Sequence, residues 1–207
     1  MNTTPEQSSA ETAEQKHQRK SQKLKEKVDA TVEKAQIEKG IILVITGNGK
    51  GKSTAGFGTV TRAVGHGYKA AVAQFIKGTW ACGERVLLEQ HGVPFSVMET
   101  GFTWDTQDRE LDIKAAKKVW QEVKVYLSNP EYHLVLLDEL TYMLSFDYLD
   151  KQEVMDAIKQ RPENQTVIIT GRGAIKELRD MADTVSVIKD EKHAYTAGIK
   201  ARKGVDW

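Results

Sequence analysis

The apolar run Ile41-Ile42-Leu43-Val44-Ile45 leads through Thr46 into Gly47-Asn48-Gly49-Lys50-Gly51-Lys52-Ser53-Thr54, and this junction constrains the fold more than any other stretch. A continuous apolar run that ends in a glycine-rich turn reads as a buried strand feeding a helix. The three glycines let the backbone curl so that its N–H groups face phosphate oxygens, and the following helix presents its positive end to the same charge. Lys52 is placed to reach phosphates and Ser53 to hold a divalent ion. One residue departs from the usual pattern: the position five before Gly51 is ordinarily glycine and here is Thr46. The orientation of a bound nucleotide therefore does not follow from the loop alone. A strand-to-helix turn with no ligand is the alternative, against the coincidence of strand, glycines, lysine and hydroxyl.

Beyond the loop the chain alternates strand and helix signals. Apolar strands are expected over 41–45, 70–75, 95–98, 134–137, 167–169 and 185–188. Helices are expected over 52–64, through Ala116, Val119, Trp120, Val123 and Leu127 up to Asn129-Pro130, and around Val154 and Ile158 before Arg161-Pro162. Strands too continuously apolar for one-sided exposure, separated by helices, predict a mostly parallel sheet covered on both faces. Residues 1–15 are small and polar, without periodicity, and are expected to be a disordered tail. Over 16–39, Leu24, Val28, Val32 and Ala35 recur at helical spacing in a Lys/Glu-rich background that Gly40 ends. That amphipathic helix has a narrow apolar stripe and needs a surface to lie on. Residues 40–207 then form one α/β domain.

Composition removes whole classes of function. With 207 residues, 40% hydrophobic and 29% charged, the chain has enough apolar material for one sizeable core. No stretch approaches the roughly 18 consecutive apolar residues of a spanning helix. The first forty residues carry seven acidic and eight basic side chains and no apolar signal core, so the cytoplasm is the expected location. A net charge of +1 supplies no basic field for nucleic acid. Cys82 is the only cysteine and has no partner for an internal disulfide, and the five histidines are scattered without metal-ligand spacing.

Four further segments carry chemistry. His133-Leu134-Val135-Leu136-Leu137-Asp138-Glu139 delivers two carboxylates at the end of an apolar strand. Strand ends converge on one edge of a parallel sheet, so these acids can approach an ion held by Ser53; the alternative is two solvated acids starting the next helix. Thr170-Gly171-Arg172-Gly173 sits in the same way after its strand and can place Arg172 beside phosphate, or pair it with a surface acid. Lys77-Gly78-Thr79-Trp80 has a similar position and the same ambiguity. Gly101-Phe102-Thr103-Trp104 sets two large aromatics in a segment without core periodicity, either as a flat wall for a planar ligand or as a plug beneath the loop.

Taken together, Thr46 through Thr54, Gln74-Phe75-Ile76-Lys77-Gly78-Thr79-Trp80, Thr100 through Trp104, Leu137-Asp138-Glu139-Leu140-Thr141-Tyr142 and Ile169 through Gly173 resemble the bacterial ATP:corrinoid adenosyltransferases of the CobA/BtuR type. The resemblance spans roughly residues 16–207. It implies a P-loop NTPase (RecA-like) fold and transfer of the 5′-deoxyadenosyl group of ATP to cobalt(I) of a corrinoid such as cobalamin, with release of triphosphate. The phosphate loop then serves a leaving group, and ATP lies in the reverse sense from ordinary phosphate-loop enzymes, consistent with Thr46. By matching positions, Asn48, Gly49, Lys50, Gly51, Lys52, Ser53 and Thr54 bind the triphosphate together with Arg172. Ser53 and Glu139 hold Mg²⁺, for which Mn²⁺ can substitute; serine stands here where the family often has threonine. Lys52 and Glu139 serve the transfer. Phe102 and Trp104 close the lower face of the corrin and exclude its axial ligand, which makes cobalt(II) easier to reduce. The N-terminal helix covers the corrinoid in a homodimer, and a reducing flavoprotein is a transient partner; neither membrane nor nucleic acid is implied.

Two other readings use the same loop. An ATPase or kinase would transfer the γ-phosphoryl group to water or an acceptor, and a nucleotide-dependent interaction module would do neither. The phosphate product formed from ATP in the presence of a reduced corrinoid separates them.

Overall fold

The computed structural model describes residues 11–76, 82–98 and 108–206. The chain divides into two units, residues 1–38 and 39–207. The first contains helix α1, Ala13–Lys34. It begins earlier than the periodicity predicts, inside the segment expected to be a tail, because Thr12 and Gln15 form a capping box. It also ends before Ala35 and well short of Gly40. Its stripe of Leu24, Val28 and Val32 is exposed, and none of its residues is buried.

The second unit alternates strands and helices in chain order: β1 (Ile42–Thr46), α2 (Lys52–Gly65), β2 (Ala70–Gln74), α3 (Gly83–Gln90), β3 (Phe95–Val97), α4 (Arg109–Ser128), β4 (Leu134–Asp138), α5 (Leu140–Ser145), α6 (Lys151–Lys159), β5 (Thr166–Thr170), α7 (Lys176–Met181) and β6 (Thr184–Val187). A short 3₁₀ turn, Tyr195–Ala197, follows. The predicted strands all form, each within a residue or two of the expected ends. Sequence reading passed over α3, α5 and α7, which are too short to show a helical period.

Among the described residues the strands form one sheet in the order β3-β2-β4-β5-β1-β6, parallel at every pairing. Alternating residues feed two apolar layers. Val44, Val135, Leu137, Val167 and Ile169 face a core closed by Trp120 and Val123 of α4, Met143 of α5 and Ile158 of α6. Ile45, Leu134, Leu136 and Ile168 face the other core, with Phe57 and Val60 of α2 and Leu88 of α3. Full burial of each such side chain contributes roughly 1.5–3 kcal/mol, so the runs that looked continuously apolar are strands buried on both faces. The exception is β6, an edge strand whose four residues are all exposed.

The arrangement aligns the C-terminal ends of β1, β4 and β5 on one sheet edge, with β5 lying between β1 and β4. The phosphate loop, the acidic pair and the arginine loop are continuations of those three strands.

Candidate active site

The phosphate loop is bent by its glycines and clamped from one side. Gly47 has φ 106°, and a Cβ there would lie 2.3 Å from the carbonyl oxygen of Ile188, so only glycine allows this approach. The loop and the segment after β6 are joined by two backbone bonds, Ile188 N–H to Thr46 C=O at 2.8 Å and Gly49 N–H to Ile188 C=O at 2.9 Å. The Gly49 amide is thus engaged with protein. Lys52, 7% exposed in the first turn of α2, donates from Nζ to the Gly49 carbonyl at 2.8 Å. Lys50 forms an ion pair with Asp206 at 2.6 Å, and the Asp206 carboxylate also accepts from the backbone N–H of Arg202 at 2.7 Å. The Lys50 bond and then the Arg202 bond hold that carboxyl below the usual range. Sequence reading gave no hint that the C-terminal segment reaches the loop.

Thr46, the departure from the glycine pattern, has a structural function. It is 5% exposed, and its Oγ1 accepts from the backbone N–H of Ala174 at 3.3 Å. Together with Gly171 N–H to Ile45 C=O at 3.2 Å, this bond ties the arginine loop to the strand that carries the phosphate loop. The other side of the arginine loop is fixed by α5. Thr141 Oγ1 donates to the Arg172 carbonyl at 2.7 Å, and Gly171, at φ 135°, passes so close that a Cβ would lie 2.0 Å from that hydroxyl. The Arg172 side chain remains exposed.

The two carboxylates of β4 are treated differently. Asp138 is fully buried, with one oxygen accepting from Thr170 Oγ1 at 2.7 Å and the other from Gln74 Nε2 at 3.3 Å. Glu139 is half-buried in a left-handed conformation, φ 63° and ψ 19°, and it begins α5. Burial lowers the Lys52 ammonium below the ordinary lysine range; Glu139 opposes that effect, Arg172 reinforces it and Asp138 opposes it. Burial also raises the Tyr142 phenol, Glu139 raises it further, and Arg172 lowers it. Lys52, Glu139, Asp138 and Arg172 therefore share one electrostatic neighbourhood, as strand-end convergence predicts.

The donors fit Mg²⁺. That ion prefers hard oxygen ligands and is commonly held by one or two carboxylates together with substrate phosphates. The Ser53 hydroxyl and the Glu139 carboxylate supply such oxygens beside the phosphate loop. Among the described residues there is no cluster of three or more His, Cys, Asp and Glu side chains that would suit an all-protein metal cage. Phe102, Trp104 and the 77–80 segment lie outside the described residues. Cys82 is buried in the α2 layer, in keeping with a packing role.

No described helix is long and apolar enough to cross a membrane. Residues 38–207 match the family described as ATP:corrinoid adenosyltransferase BtuR/CobO/CobP. The corrinoid adenosyltransferase of Escherichia coli K12 is 58% identical over 195 residues, which cover 94% of this chain and 100% of that protein. The corrinoid adenosyltransferase CobA of Salmonella typhimurium LT2 is 56% identical over the same lengths. That of Pseudomonas aeruginosa PAO1 is 43% identical over 209 residues, covering both chains in full. A phosphate loop facing a strand-end carboxylate and an arginine, together with likeness along nearly the whole chain, leads to one conclusion: the chain belongs to the ATP:corrinoid adenosyltransferase family.

Proposed function

We propose that this protein transfers the 5′-deoxyadenosyl group of ATP to cobalt(I) of a corrinoid and releases triphosphate. The observation that carries this reading is the gathering of Lys52, Glu139 and Arg172 around the phosphate loop in a chain 58% identical to a corrinoid adenosyltransferase. The cobalt(I) electron pair forms the bond to C5′, and the C5′–O bond breaks with its pair leaving on the triphosphate. Charge thus grows on the bridging oxygen of the leaving group. Lys52, directed into the loop, neutralises that charge, and Arg172 supplies a second cation from the opposite loop. Bound Mg²⁺ would supply Lewis-acid stabilisation of the same oxygens, with Ser53 and Glu139 as its protein ligands.

Phe102 and Trp104 wall the lower face of the corrin in this reading and give cobalt no ligand there. The N-terminal helix covers the corrinoid in a homodimer, the reductant is a flavoprotein that docks transiently, and the reaction takes place in the cytoplasm. The helix's exposed apolar stripe supports the covering role, since a lone helix with so narrow a stripe is marginal in water.

The adenosylation assay tests this reading from two starting states. With chemically prepared cobalt(I), the native chain and the Phe102→Ala/Trp104→Ala variant both form the cobalt–carbon product. Starting from cobalt(II) and a reductant, the variant loses most of its rate. Absence of any adenosylated corrin from native protein overturns the function, and equal losses in the two assays overturn the role given to the aromatics.

A further inference from the structure

The register of the central strands sets Gln74 opposite Asp138, and the pairing of Leu137 with Ile169 puts Asp138 beside Thr170. These residues form a buried chain of hydrogen bonds that ends on the backbone of Glu139. Gln74 donates to one oxygen of Asp138 at 3.3 Å, and the Thr170 hydroxyl donates to the other at 2.7 Å. The same hydroxyl accepts from the Glu139 N–H at 3.0 Å. The direction is unambiguous, because an amide N–H can only donate, so the single hydroxyl proton goes to Asp138. All three side chains are buried, with Asp138 and Thr170 at 0% exposure.

The Glu139 end, which donates, is the strained one. Glu139 sits at φ 63°, which side chains larger than glycine rarely adopt, and such a conformation persists when its surroundings over-determine it. The bond from its N–H to Thr170 is one such restraint. Asp138 is fully buried with a partner on each oxygen, whereas Glu139 is only half-buried, so the Glu139 carboxylate is the more accessible of the two to a metal.

We infer that Asp138 and Thr170 are positioning residues. Asp138 fixes the Thr170 hydroxyl, the hydroxyl fixes the Glu139 backbone, and Glu139 alone of the pair directs its carboxylate to the metal and triphosphate. This inference rests on the role proposed above for Glu139.

The test follows Mn²⁺ binding to the full-length protein in the presence of ATP by electron paramagnetic resonance, with amide hydrogen exchange at Glu139 as a second readout. Thr170→Val, which keeps the branch and removes the hydroxyl, weakens Mn²⁺ binding about tenfold or more and speeds exchange at Glu139. Thr170→Ser restores both toward native values. Should Thr170→Val fail to fold, Thr170→Ala removes the same hydroxyl without adding a methyl group and is read in its place. Native Mn²⁺ affinity in a hydroxyl-less variant, alongside a clear loss in Glu139→Ala, overturns the positioning role and leaves Glu139 as ligand. So does a Thr170→Ser variant as weak as Thr170→Val. Native affinity in Glu139→Ala itself removes the metal assignment on which the inference stands.

Discussion

In the role proposed for it, Lys52 must stay charged to hold a triphosphate, while burial works against that charge. Its lowered pKa has a readable consequence: ATP affinity holds steady at neutral pH and falls as pH rises through a value below the ordinary lysine 10.5. Titrating the ATP dissociation constant against pH checks this, and Lys52→Arg, which stays protonated, should flatten the alkaline limb. At Glu139, function and stability pull apart. A left-handed residue with a Cβ carries roughly 1–2 kcal/mol of strain that glycine avoids. Glu139→Gly and Glu139→Ala should therefore both lose Mg²⁺-dependent turnover, while thermal unfolding finds the glycine variant about 1 kcal/mol more stable than the alanine one. A glycine variant no more stable than the alanine one would show that the backbone at 139 stores no strain.

The elements were legible where burial made a long signal. Strands β1, β4 and β5 carry apolar residues on both faces, so they stood out as continuous runs, and their loops followed from their ends. Helix α5 did not stand out, because its six residues follow directly on Glu139 and show no period. Equally hidden were the bonds that assemble the site, Thr46 to Ala174, Thr141 to Arg172 and Lys50 to Asp206. They join residues far apart in the chain, and a lone threonine at a strand end gives no hint of its partner. Helix α1 was legible as a period, but its beginning was set by the capping box at Thr12. The covering role proposed for it makes an element-scale prediction: deleting residues 1–15 is tolerated, whereas deleting 1–38 weakens corrinoid use and largely spares ATP binding. Hydrogen exchange over residues 20–37 should slow when ATP and corrinoid bind together; identical protection with and without both ligands would contradict a covering role.

Across the whole molecule, the parallel sheet brings the glycine-rich loop together with Glu139 and Arg172, the groups proposed above to hold the triphosphate and its charge. The same equipment could serve phosphoryl transfer, in which bond cleavage occurs at phosphorus. In the family reaction it serves a leaving group, and cleavage occurs between C5′ and oxygen. The identity of the phosphate product therefore decides between cleavage at C5′ and cleavage at phosphorus. ATP, Mg²⁺ and chemically reduced cob(I)alamin are incubated with the native protein, and the products are resolved by ion-exchange chromatography or phosphorus NMR. Triphosphate is expected in amounts equal to the adenosylated corrin, with none formed when the corrinoid is left out. ADP with orthophosphate, or a phosphorylated acceptor, in place of triphosphate would contradict it.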